Sequence, residues 1–360
     1  MRFALWALVL CATVAAAPEP LHVRGTAAGV VDGRPVDVSV EREGGRELVR
    51  VCGAADVCAG TWFDGVRRWQ FGINGVLVPD DAPPAGGPLI ARARAAAVAV
   101  AQPLSPPAGP SVTFHGNDAV HLSDDPVPVV ACTIARRAAR CLLDSGTTPS
   151  LMTLPEAEAL GLDPRGAMDI VGFATVTTGI VTTGPLDVGP AHLDRVSFAV
   201  VPRSQAVGFD VVVGADLLGR VQLVFDRAHR TARLVAPGSV APAHPIPLQF
   251  RSGVPAATYD LGGRPGEALV DTGDSAIISE GYAAYREGPQ WPVVGRTVAA
   301  GFGGTDDVLE VAVPDAAIGP LQLGAVHALI RRTQREAHVG VGPWDRCLLT
   351  LDESNSRMGC

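Results

Sequence analysis

Two segments of the chain repeat one pattern of apolar and polar positions. Residues 127–144 read VPVVACTIARRAARCLLD, and residues 254–271 read VPAATYDLGGRPGEALVD. Both begin with Val-Pro and end in an apolar pair followed by Asp, with no gap in either copy. Each consists of two apolar runs around a polar turn, which is typical of a β-hairpin. The pattern therefore predicts two equivalent hairpins, each leading into an aspartate.

The similarity between the two halves continues downstream of these hairpins. The matching motifs, in the same order in each half, are Asp144-Ser-Gly-Thr-Thr148 with Asp271-Thr-Gly-Asp-Ser275, Gly172-Phe173 with Gly301-Phe302, Gly184-Pro-Leu-Asp-Val-Gly189 with Gly319-Pro-Leu-Gln-Leu-Gly324, Val213-Gly214 with Val341-Gly342, and Val224-Phe-Asp226 with Thr350-Leu-Asp352. One shared motif can arise by chance, but a series in constant order indicates an internal duplication.

Composition places this duplicated unit in the all-β class. The chain is 47% hydrophobic and 18% charged, which is typical of a globular protein and not of a disordered one. Its 41 glycines and 30 prolines are spread along most of the length, and this favours short, turn-bounded strands over long helices. The net charge of −8 comes without a basic block, so nucleic acid is not an expected partner.

The repeat and two proline-rich stretches divide the chain. The duplicated halves cover residues 111–237 and 246–360, and the stretch 236–246 links them. Residues 102–110 form a second linker, which separates the first half from a β-rich region at 18–101. That N-terminal region is a propeptide, a small accessory domain or an added sheet, and the sequence leaves these interpretations open.

The N-terminus has the features of a signal peptide. A short positive end is followed by an apolar run at residues 3–14, too short to span a bilayer, and by three small residues suited to cleavage. A core strand or helix is the alternative. We therefore predict that residues 1–17 are a signal peptide of a secreted or periplasmic protein, and that the remainder has no membrane span.

Six cysteines remain once residues 1–17 are removed, and an even number beside a signal peptide suggests disulfides. Proximity along the chain suggests three local pairs, which are Cys52 with Cys58, Cys132 with Cys141, and Cys347 with Cys360. Free buried cysteines are the alternative. No Cys-x-x-Cys motif with histidine partners is found, and the eight histidines show no ligand spacing, so we predict no metal site.

Each Asp-x-Gly turn puts a carboxylate directly after a buried strand. A charge there is costly unless it is hydrogen-bonded or paired, and the glycine lets another chain approach closely. Two such turns related by a pseudo-twofold axis would bring Asp144 and Asp271 together, and the pair would then share one proton. The ionised member can take a proton from a bound water while the protonated member polarises a carbonyl. This chemistry needs no metal, cofactor or covalent nucleophile.

These motifs resemble those of the aspartic peptidases, specifically retropepsin-like proteins fused in tandem, with pepsin as the two-lobed relative. The residues that carry the resemblance are Leu142-Leu-Asp-Ser-Gly-Thr-Thr148, Val211-Val-Val-Gly-Ala-Asp-Leu-Leu218, Leu269-Val-Asp-Thr-Gly-Asp-Ser275 and Val339-Gly-Val-Gly342. The resemblance covers residues 111–360 and leaves 18–101 unexplained. It implies two closed β-barrel lobes, a monomer that is an intramolecular pseudo-dimer, and polypeptide substrates bound as extended strands.

The resemblance also implies roles for individual residues. Asp144 and Asp271 would be catalytic, and Ser145 and Thr272 would brace the two turns across the interface. Thr147 would hydrogen-bond the outer oxygen of Asp144. The complete supporting set is Ser145, Gly146, Thr147, Thr272, Gly273 and Asp274. The flap candidates, which would cover the substrate, are Gly172, Phe173, Phe302 and Gly303. Whether one flap or two would act stays open.

Asp274 departs from the family pattern, because Ser, Thr or Ala usually stands there. A third carboxylate would raise neighbouring pKa values or be protonated itself at acid pH. As a neutral acid it could donate a hydrogen bond, or it could impair the second half. The predicted function is therefore an aspartic endopeptidase. The alternative is a catalytically inactive peptide-binding or envelope-structural protein with the same fold, and Asp274 entering the cleft would favour that alternative.

Overall fold

A computed structural model of the chain describes residues 23–31, 34–53, 58–81, 87–96, 98–99, 104–172, 175–202, 208–302 and 304–360. Their strands form four sheets, of seven, ten, six and eight strands, and the helices are short. The predicted all-β class is confirmed. Within the described part of the chain, no helix is long and apolar enough to cross a membrane. The proposed signal peptide at residues 1–17 lies outside the described residues.

The N-terminal region is one antiparallel sheet with a helix on one face, which we call the N-terminal sheet. Its strand order is β6-β5-β4-β3-β2-β1-β7. The elements are β1 Val23–Val31, β2 Arg34–Glu43, β3 Arg46–Cys52, β4 Cys58–Phe63, β5 Arg68–Gly72, β6 Gly75–Pro79, α1 Gly87–Ala95 and β7 Val98–Ala99. Leu89, Ile90 and Ala93 of α1 pack on Val38 and Val40 of β2. Alternation of buried and exposed residues along β2 gives this helix its apolar platform.

Lobe 1, as we name it, is built on the ten-stranded sheet. Its order is β13-β14-β17-β12-β18-β11-β10-β15-β16-β8. The elements are β8 Val112–Phe114, β10 Val129–Ile134, β11 Arg137–Asp144, β12 Leu151–Thr153, α2 Leu154–Ala159, β13 Arg165–Val171, β14 Thr175–Thr183, β15 Leu186–Val188, β16 Ala191–Leu193, β17 Val196–Val201, β18 Val211–Gly214 and α3 Ala215–Leu218. Strand β11 carries the first predicted aspartate at its C-terminal end.

Lobe 2 is built on the eight-stranded sheet. Its order is β22-β23-β24-β29-β25-β28-β27-β26, and an additional pairing joins β23 to β27. The elements are β22 Gln249–Arg251, β23 Val254–Leu261, β24 Pro265–Val270, β25 Ile278–Gly281, α4 Tyr282–Glu287, β26 Val293–Gly301, β27 Gly304–Ile318, β28 Leu321–Arg331, β29 Ala337–Val339 and a 3-10 helix, Gly342–Arg346. Strand β24 ends directly before the second predicted aspartate.

The two lobes repeat one pattern of strand pairing. In lobe 1, β11 pairs with β10 antiparallel and with β18 parallel, and β12 lies antiparallel to β18. In lobe 2, β24, β23, β29 and β25 are related in the same way. Each predicted hairpin is therefore flanked by a parallel strand, which leaves the aspartate turn between two strand ends.

The register of these pairs corrects two of the motif matches made from the sequence. Leu143 pairs with Val213 and Val270 with Val339, so Gly214 corresponds to Gly340. The match of Val213-Gly214 with Val341-Gly342 was therefore wrong by two residues. Likewise β15 and β27 both end one residue before a Gly-Pro turn, at Gly189 and Gly319. The match of Gly184 with Gly319 was wrong by five residues, because the shared Gly-Pro pair misled the comparison.

Both lobes contribute to the six-stranded sheet, which we call the shared sheet. Its order is β21-β31-β30-β19-β20-β9. Its elements are β9 Val120–His121, β19 Gln222–Asp226, β20 Thr231–Val235, β21 Pro245–Pro247, β30 Leu349–Asp352 and β31 Arg357–Gly359, with a 3-10 helix, Glu353–Asn355, between the last two. The lobes join where Val224 pairs with Thr350. Buried apolar side chains on both sides of this junction belong to one continuous core.

Three disulfides pair the cysteines as proximity along the chain suggested. They join Cys52 to Cys58, Cys132 to Cys141, and Cys347 to Cys360. Cys132 and Cys141 are not directly opposite in the hairpin, since Cys132 lies across from Ala139. The bond therefore runs diagonally from Cys132 to the residue two positions beyond its cross-strand partner, within reach of two cysteines on one face of a sheet.

The N-terminal sheet is attached to lobe 1 by a buried polar contact. The Asn74 amide nitrogen donates to the Asp216 carboxylate (2.7 Å) and to the Ser197 carbonyl oxygen (3.0 Å), while its oxygen accepts from the Ser197 N–H (2.8 Å). Arg220 donates to the carbonyl oxygens of Asn74 and Val76. Asn74 and Asp216 are both buried. Each buried polar group thus has partners from the other unit, and this fixes how the two units dock.

Candidate active site

The two Asp-x-Gly turns meet where the lobes face one another, and four hydrogen bonds join them. The Ser145 N–H donates to Thr272 Oγ1 (3.0 Å), and the Thr272 N–H donates to Ser145 Oγ (3.1 Å). The Ser145 hydroxyl also donates to the Val270 carbonyl oxygen (2.6 Å), and the Thr272 hydroxyl to the Leu143 carbonyl oxygen (2.7 Å). The arrangement is reciprocal, because each turn supplies the same donors and acceptors to the other. Ser145 and Thr272 are buried, so these bonds are shielded from water.

The glycines of the two turns allow the carboxyl groups to approach. A Cβ placed on Gly146 would lie 2.5 Å from Asp271 Cγ, and one on Gly273 would lie 2.6 Å from Asp144 Cγ. Either distance is a clash for any larger residue. Asp144 and Asp271 lie close enough to share a hydrogen bond. The structure therefore brings together the predicted pair and its predicted neighbours in both turns.

Asp144 is surrounded by neutral donors. Its Oδ1 accepts from the Gly146 N–H (2.9 Å), and its Oδ2 accepts from the Thr147 hydroxyl (2.7 Å). Burial raises the pKa of Asp144, and the neighbouring charge of Asp271 raises it further, because both disfavour a second negative charge. The two hydrogen bonds oppose this rise without cancelling it. Asp144 is therefore the member of the pair that holds a proton more readily.

Asp271 has a charged neighbour on the equivalent oxygen. Its Oδ1 accepts from the Gly273 N–H (3.0 Å), as in lobe 1, but its Oδ2 lies 2.9 Å from His338 Nδ1. Burial raises the pKa of Asp271, yet the hydrogen bond and the charge of His338 outweigh burial and bring the pKa below its ordinary value. Two turns with an equivalent N–H bond to Oδ1 thus hold one carboxyl group whose pKa is raised and one whose pKa is lowered.

Asp274 is turned into lobe 2 and accepts three hydrogen bonds there. The donors are the Ala276 N–H (2.9 Å), the Ser279 hydroxyl (3.0 Å) and Arg331 Nη2 (2.7 Å). The side chain is only 3% exposed. The predicted alternative in which Asp274 donates a hydrogen bond has no support at Oδ1, because both partners of that oxygen, Arg331 and the Ala276 N–H, can only donate. The side chain is not in the cleft, so the feature that would have favoured the inactive alternative is not observed.

Asp271, Asp274 and His338 place ligand atoms within 4.8 Å of one another, a spacing that a metal ion could use. Arg331 is ion-paired with Asp274 on the same cluster and already supplies a positive charge there. A guanidinium beside the carboxylate repels a second cation. The cluster is therefore better described as a network of ion pairs than as a metal centre.

Two long hairpins reach from the lobes toward each other. One is β13–β14 in lobe 1 and the other is β26–β27 in lobe 2, and we name them the first and second flap hairpins after the predicted flap candidates at their tips. Their tips touch, because a Cβ on Gly172 would lie 2.5 Å from the carbonyl oxygen of Phe302. Phe302 also packs against an apolar cluster of lobe 1 that contains Leu142 and Val212. Phe173 and Gly303, the other two flap candidates, lie outside the described residues.

Sequence reasoning missed His338 and Arg331. A usable sign was available for His338, since alignment of the two halves on Val339-Gly340 instead of Val341-Gly342 would have put it opposite Val212. His338 thus stands where lobe 1 has a valine, one residue before the end of the strand beside Asp271. A polar residue in place of an apolar one there indicates a polar function. Arg331 gave no sign, because it lies 57 residues from Asp274 in sequence.

Comparison with known proteins supports this description of lobe 1. Residues 130–217, about a quarter of the chain, match the model of a family described as "Aspartyl protease". The matched segment includes Asp144 and the strand β18 beside it, so the predicted resemblance to the retropepsin-like aspartic peptidases is confirmed for this lobe. The chain is also similar to a solved structure, the crystal structure of a retropepsin-like aspartic protease from Rickettsia conorii. That chain is 15% identical with a TM-score of 0.27, and the match covers 35% of this chain and 93% of that one. A comparison with curated protein sequences gave no match.

Proposed function

We propose that this protein is an aspartic endopeptidase that hydrolyses polypeptides with a water molecule held between Asp144 and Asp271. One observation carries the proposal. The reciprocal hydrogen bonds of Ser145 and Thr272 hold two carboxyl groups in contact, one from each lobe, with Asp144 buried and the Asp271 side chain only 16% exposed. Buried like charges in contact are destabilising, and a fold that maintains them across an interface has a use for one shared proton. The family match of residues 130–217 supports the same class of chemistry.

The unequal surroundings of the two carboxyl groups support a different role for each. Asp271, with the lowered pKa, is the base that takes a proton from the water as its oxygen attacks the scissile carbonyl carbon. Asp144, with the raised pKa, donates its proton to the carbonyl oxygen as the tetrahedral intermediate forms. When the C–N bond breaks, the leaving amine takes up the proton that Asp271 received, and the hydroxyl proton of the intermediate returns to Asp144. The pair thus ends as it began.

The flap hairpins support an extended polypeptide as the substrate. With Gly172 and Phe302 in contact, the two tips form a cover that must open to admit a chain. A strand laid between the tips and the carboxyl groups would find backbone partners in both hairpins, and this is how sheet edges bind extended peptides. Both lobes contribute a hairpin, which supports two flaps and not one.

The test is digestion of a denatured protein by residues 18–360 from acid to mildly alkaline pH. We expect cleavage by the native chain and its loss in Asp144→Asn and in Asp271→Asn, because neither variant can hold a single proton on a carboxyl pair. Asp187→Asn is the matched control, since Asp187 lies on the surface of lobe 1 beside His192 and should be dispensable. Cleavage that survives in either turn variant would contradict the dyad.

No cleavage by the native chain at any pH would favour the alternative, a peptide-binding protein with this fold. Binding of an extended peptide, measured by fluorescence anisotropy, would then be unchanged in Asp144→Asn and Asp271→Asn. Binding that both substitutions weaken would instead indicate that the carboxyl groups contact the peptide, as a peptidase requires.

The chain organisation forms part of the same proposal. We infer lobes at residues 111–237 and 246–360, a monomer, and a secreted or periplasmic location, for which the three disulfides provide support. Residues 18–101 would be a permanent part of the protein, because their Asn74 satisfies the buried Asp216. The mass of the mature protein tests this, since a removable propeptide would leave a product cut near 102–110.

A further inference from the structure

The residue on the outer oxygen of each carboxyl group differs between the lobes. In lobe 1 the position three residues after Asp144 is Thr147, and its hydroxyl donates to Asp144 Oδ2. In lobe 2 the same position is Asp274, which is turned away to Arg331 and Ser279. The vacated place beside Asp271 Oδ2 is filled by a ring nitrogen of His338. A neutral hydroxyl has thus been exchanged for an ionisable imidazole.

The strand pairing explains how His338 comes to this place. His338 lies on β29, paired with Leu269 on the parallel strand and with Ser279 on the antiparallel one. In lobe 1 the equivalent position is Val212, whose side chain packs in the apolar cluster under Phe302. The side chain at this position therefore lies, in lobe 1, on the face that Phe302 packs against. His338 is 22% exposed, which is enough contact with water for proton exchange.

We propose that His338 is a positioning residue that holds Asp271 as a carboxylate and so keeps the shared proton of the pair on Asp144. The inference rests on the proposed peptidase function. It makes the difference between the two lobes a part of the mechanism, because the lobe with the imidazole supplies the base and the lobe with the hydroxyl supplies the acid.

The charges that face His338 come from three segments. Asp271 follows β24, Asp274 lies in the same turn, and Arg331 ends β28, with Asp144 beyond Asp271 across the lobe interface. Burial lowers the pKa of His338, but the hydrogen bond and charge of Asp271, with a contribution from Asp274, outweigh burial and the repulsion by Arg331. The pKa of His338 is therefore raised above its ordinary value.

These directions define the pH range of the ion pair. The pKa of Asp271 is lowered from 3.8, so its carboxylate persists below that pH and is lost only as the pH falls through the lowered value. The pKa of His338 is raised from 6.5, so the imidazolium persists above that pH and is lost as the pH rises through the raised value. The pair is intact throughout the interval between 3.8 and 6.5.

The pH profile of kcat/KM is the first test, with His338→Gln and His338→Val. Glutamine keeps a donor without the charge, and valine restores the residue found in lobe 1. We expect the acid limb of the profile to move up by about one pH unit or more in both variants, because removal of a neighbouring opposite charge raises a carboxyl pKa by about 1–3 units. At a pH on that limb, kcat/KM would fall about tenfold.

His229→Gln is the matched control for this experiment. His229 also contacts a carboxylate, Asp226, at 2.7 Å, but it is 80% exposed and lies in the turn between β19 and β20 of the shared sheet. Its profile should coincide with that of the native chain. Lower activity in the His338 variants with an unmoved acid limb would overturn the proposal, because a merely structural histidine would have that effect.

Titration of the His338 imidazole by NMR tests the contact without any need for peptidase activity. Its signal is assigned by its loss in His338→Gln, and its titration midpoint is compared between the native chain and Asp271→Asn. We expect the midpoint to fall in Asp271→Asn, since the carboxylate that holds the proton is gone. Equal midpoints would overturn the proposal. A lowered midpoint in a protein that cleaves no peptide would leave the ion pair in place and contradict only the proposed function.

Discussion

Lobe 1 holds Asp144 with neutral donors and a disulfide, whereas lobe 2 holds Asp271 with charged side chains. In lobe 1 the turn is bonded by Thr147, and Cys132–Cys141 crosses the hairpin behind it. In lobe 2 the turn is bonded by His338 and by the Asp274–Arg331 ion pair. The backbone pairing is the same in both. The same pattern of strand pairing can therefore hold two carboxyl groups in different electrostatic surroundings.

The hairpins show the same divergence position by position. With the 127-residue spacing of the two turns, Cys132 and Ala139 correspond to Tyr259 and Gly266. Tyr259 donates to the buried Glu280, which is also paired with Arg264. A Cβ on Gly266 would lie 2.6 Å from the Tyr259 ring, so this ring fits only because residue 266 has no side chain. Lobe 2 thus replaces a covalent link with a polar network that depends on ionised groups.

The largest effect is expected from the network in lobe 2. Arg264→Met would leave Glu280, which is 1% exposed, without its cation. Loss of one partner of a buried ion pair costs about 3–5 kcal/mol, and we expect the free energy of unfolding to fall by that amount in chemical denaturation. Arg251→Met is the matched control, because the Arg251–Glu267 pair is exposed and worth about 0–1 kcal/mol. A loss below about 1 kcal/mol for Arg264→Met would mean that Tyr259 alone satisfies Glu280.

The disulfide of lobe 1 comes next. Replacement of both Cys132 and Cys141 by Ala should lower the free energy of unfolding by about 2–4 kcal/mol, since the closed loop no longer restricts the unfolded chain. Cys52→Ala with Cys58→Ala provides the control, because it removes a disulfide of the N-terminal sheet outside both lobes. In the variant without Cys132 and Cys141, amide hydrogen exchange should become faster in lobe 1 and stay constant in lobe 2. An equal increase in exchange in both lobes would contradict the view that each hairpin is stabilised independently of the other.

Substitution of the turn glycines tests whether the two aspartate turns also differ in backbone geometry. Gly146→Ala and Gly273→Ala would each push a carboxyl group out of place, and each should lower kcat/KM about 100-fold, because misplacement by about 1 Å has that cost. Gly87→Ala is the control, since a Cβ there meets open space. Effects that differ by more than about tenfold would show that the two turns are not equivalent in backbone geometry.

The smallest effect is expected at the first flap hairpin. Arg34 of the N-terminal sheet pairs with Asp169 on β13 at 2.6 Å, and it also bonds Thr177 on β14. Arg34→Ala should speed hydrogen exchange in the first flap hairpin and leave the second unchanged, because a partly exposed pair contributes about 0.2–1 kcal/mol. Arg92→Ala, which removes a bond within the N-terminal sheet, is the control. Equal acceleration in both hairpins would mean that Arg34 does not act on one flap alone.

Local patterns in the sequence were enough to predict the all-β class and the positions of the aspartates. The Asp-x-Gly turns and the cysteine pairs depend on residues within a few positions of one another or on the repeat itself, whereas the bracing by Ser145 and Thr272 was expected from the resemblance to a known family. Such features are visible along the chain because glycine permits sharp turns, proline fixes the backbone φ angle, and nearby cysteines can form disulfides.

The electrostatics of the site could not be predicted in the same way. His338 meets Asp271 across 67 residues and Arg331 meets Asp274 across 57, and these contacts exist only once the parallel strand pairs have formed. Whether Asp274 enters the cleft depends on that arginine. The docking of Asn74 on Asp216 spans 142 residues and depends on how a separate sheet is oriented, which no local pattern records.

The shared sheet ties the completion of the site to the order of protein synthesis. Strand β19 of lobe 1 pairs with β30, which is encoded more than a hundred residues later, so a ribosome releases the first long before the second. Until Leu349–Asp352 has emerged, the lobes lack the junction that aligns Ser145 with Thr272. A nascent chain that lacks this strand therefore has no sheet joining its lobes, and the peptidase that we propose would be complete only near the end of translation.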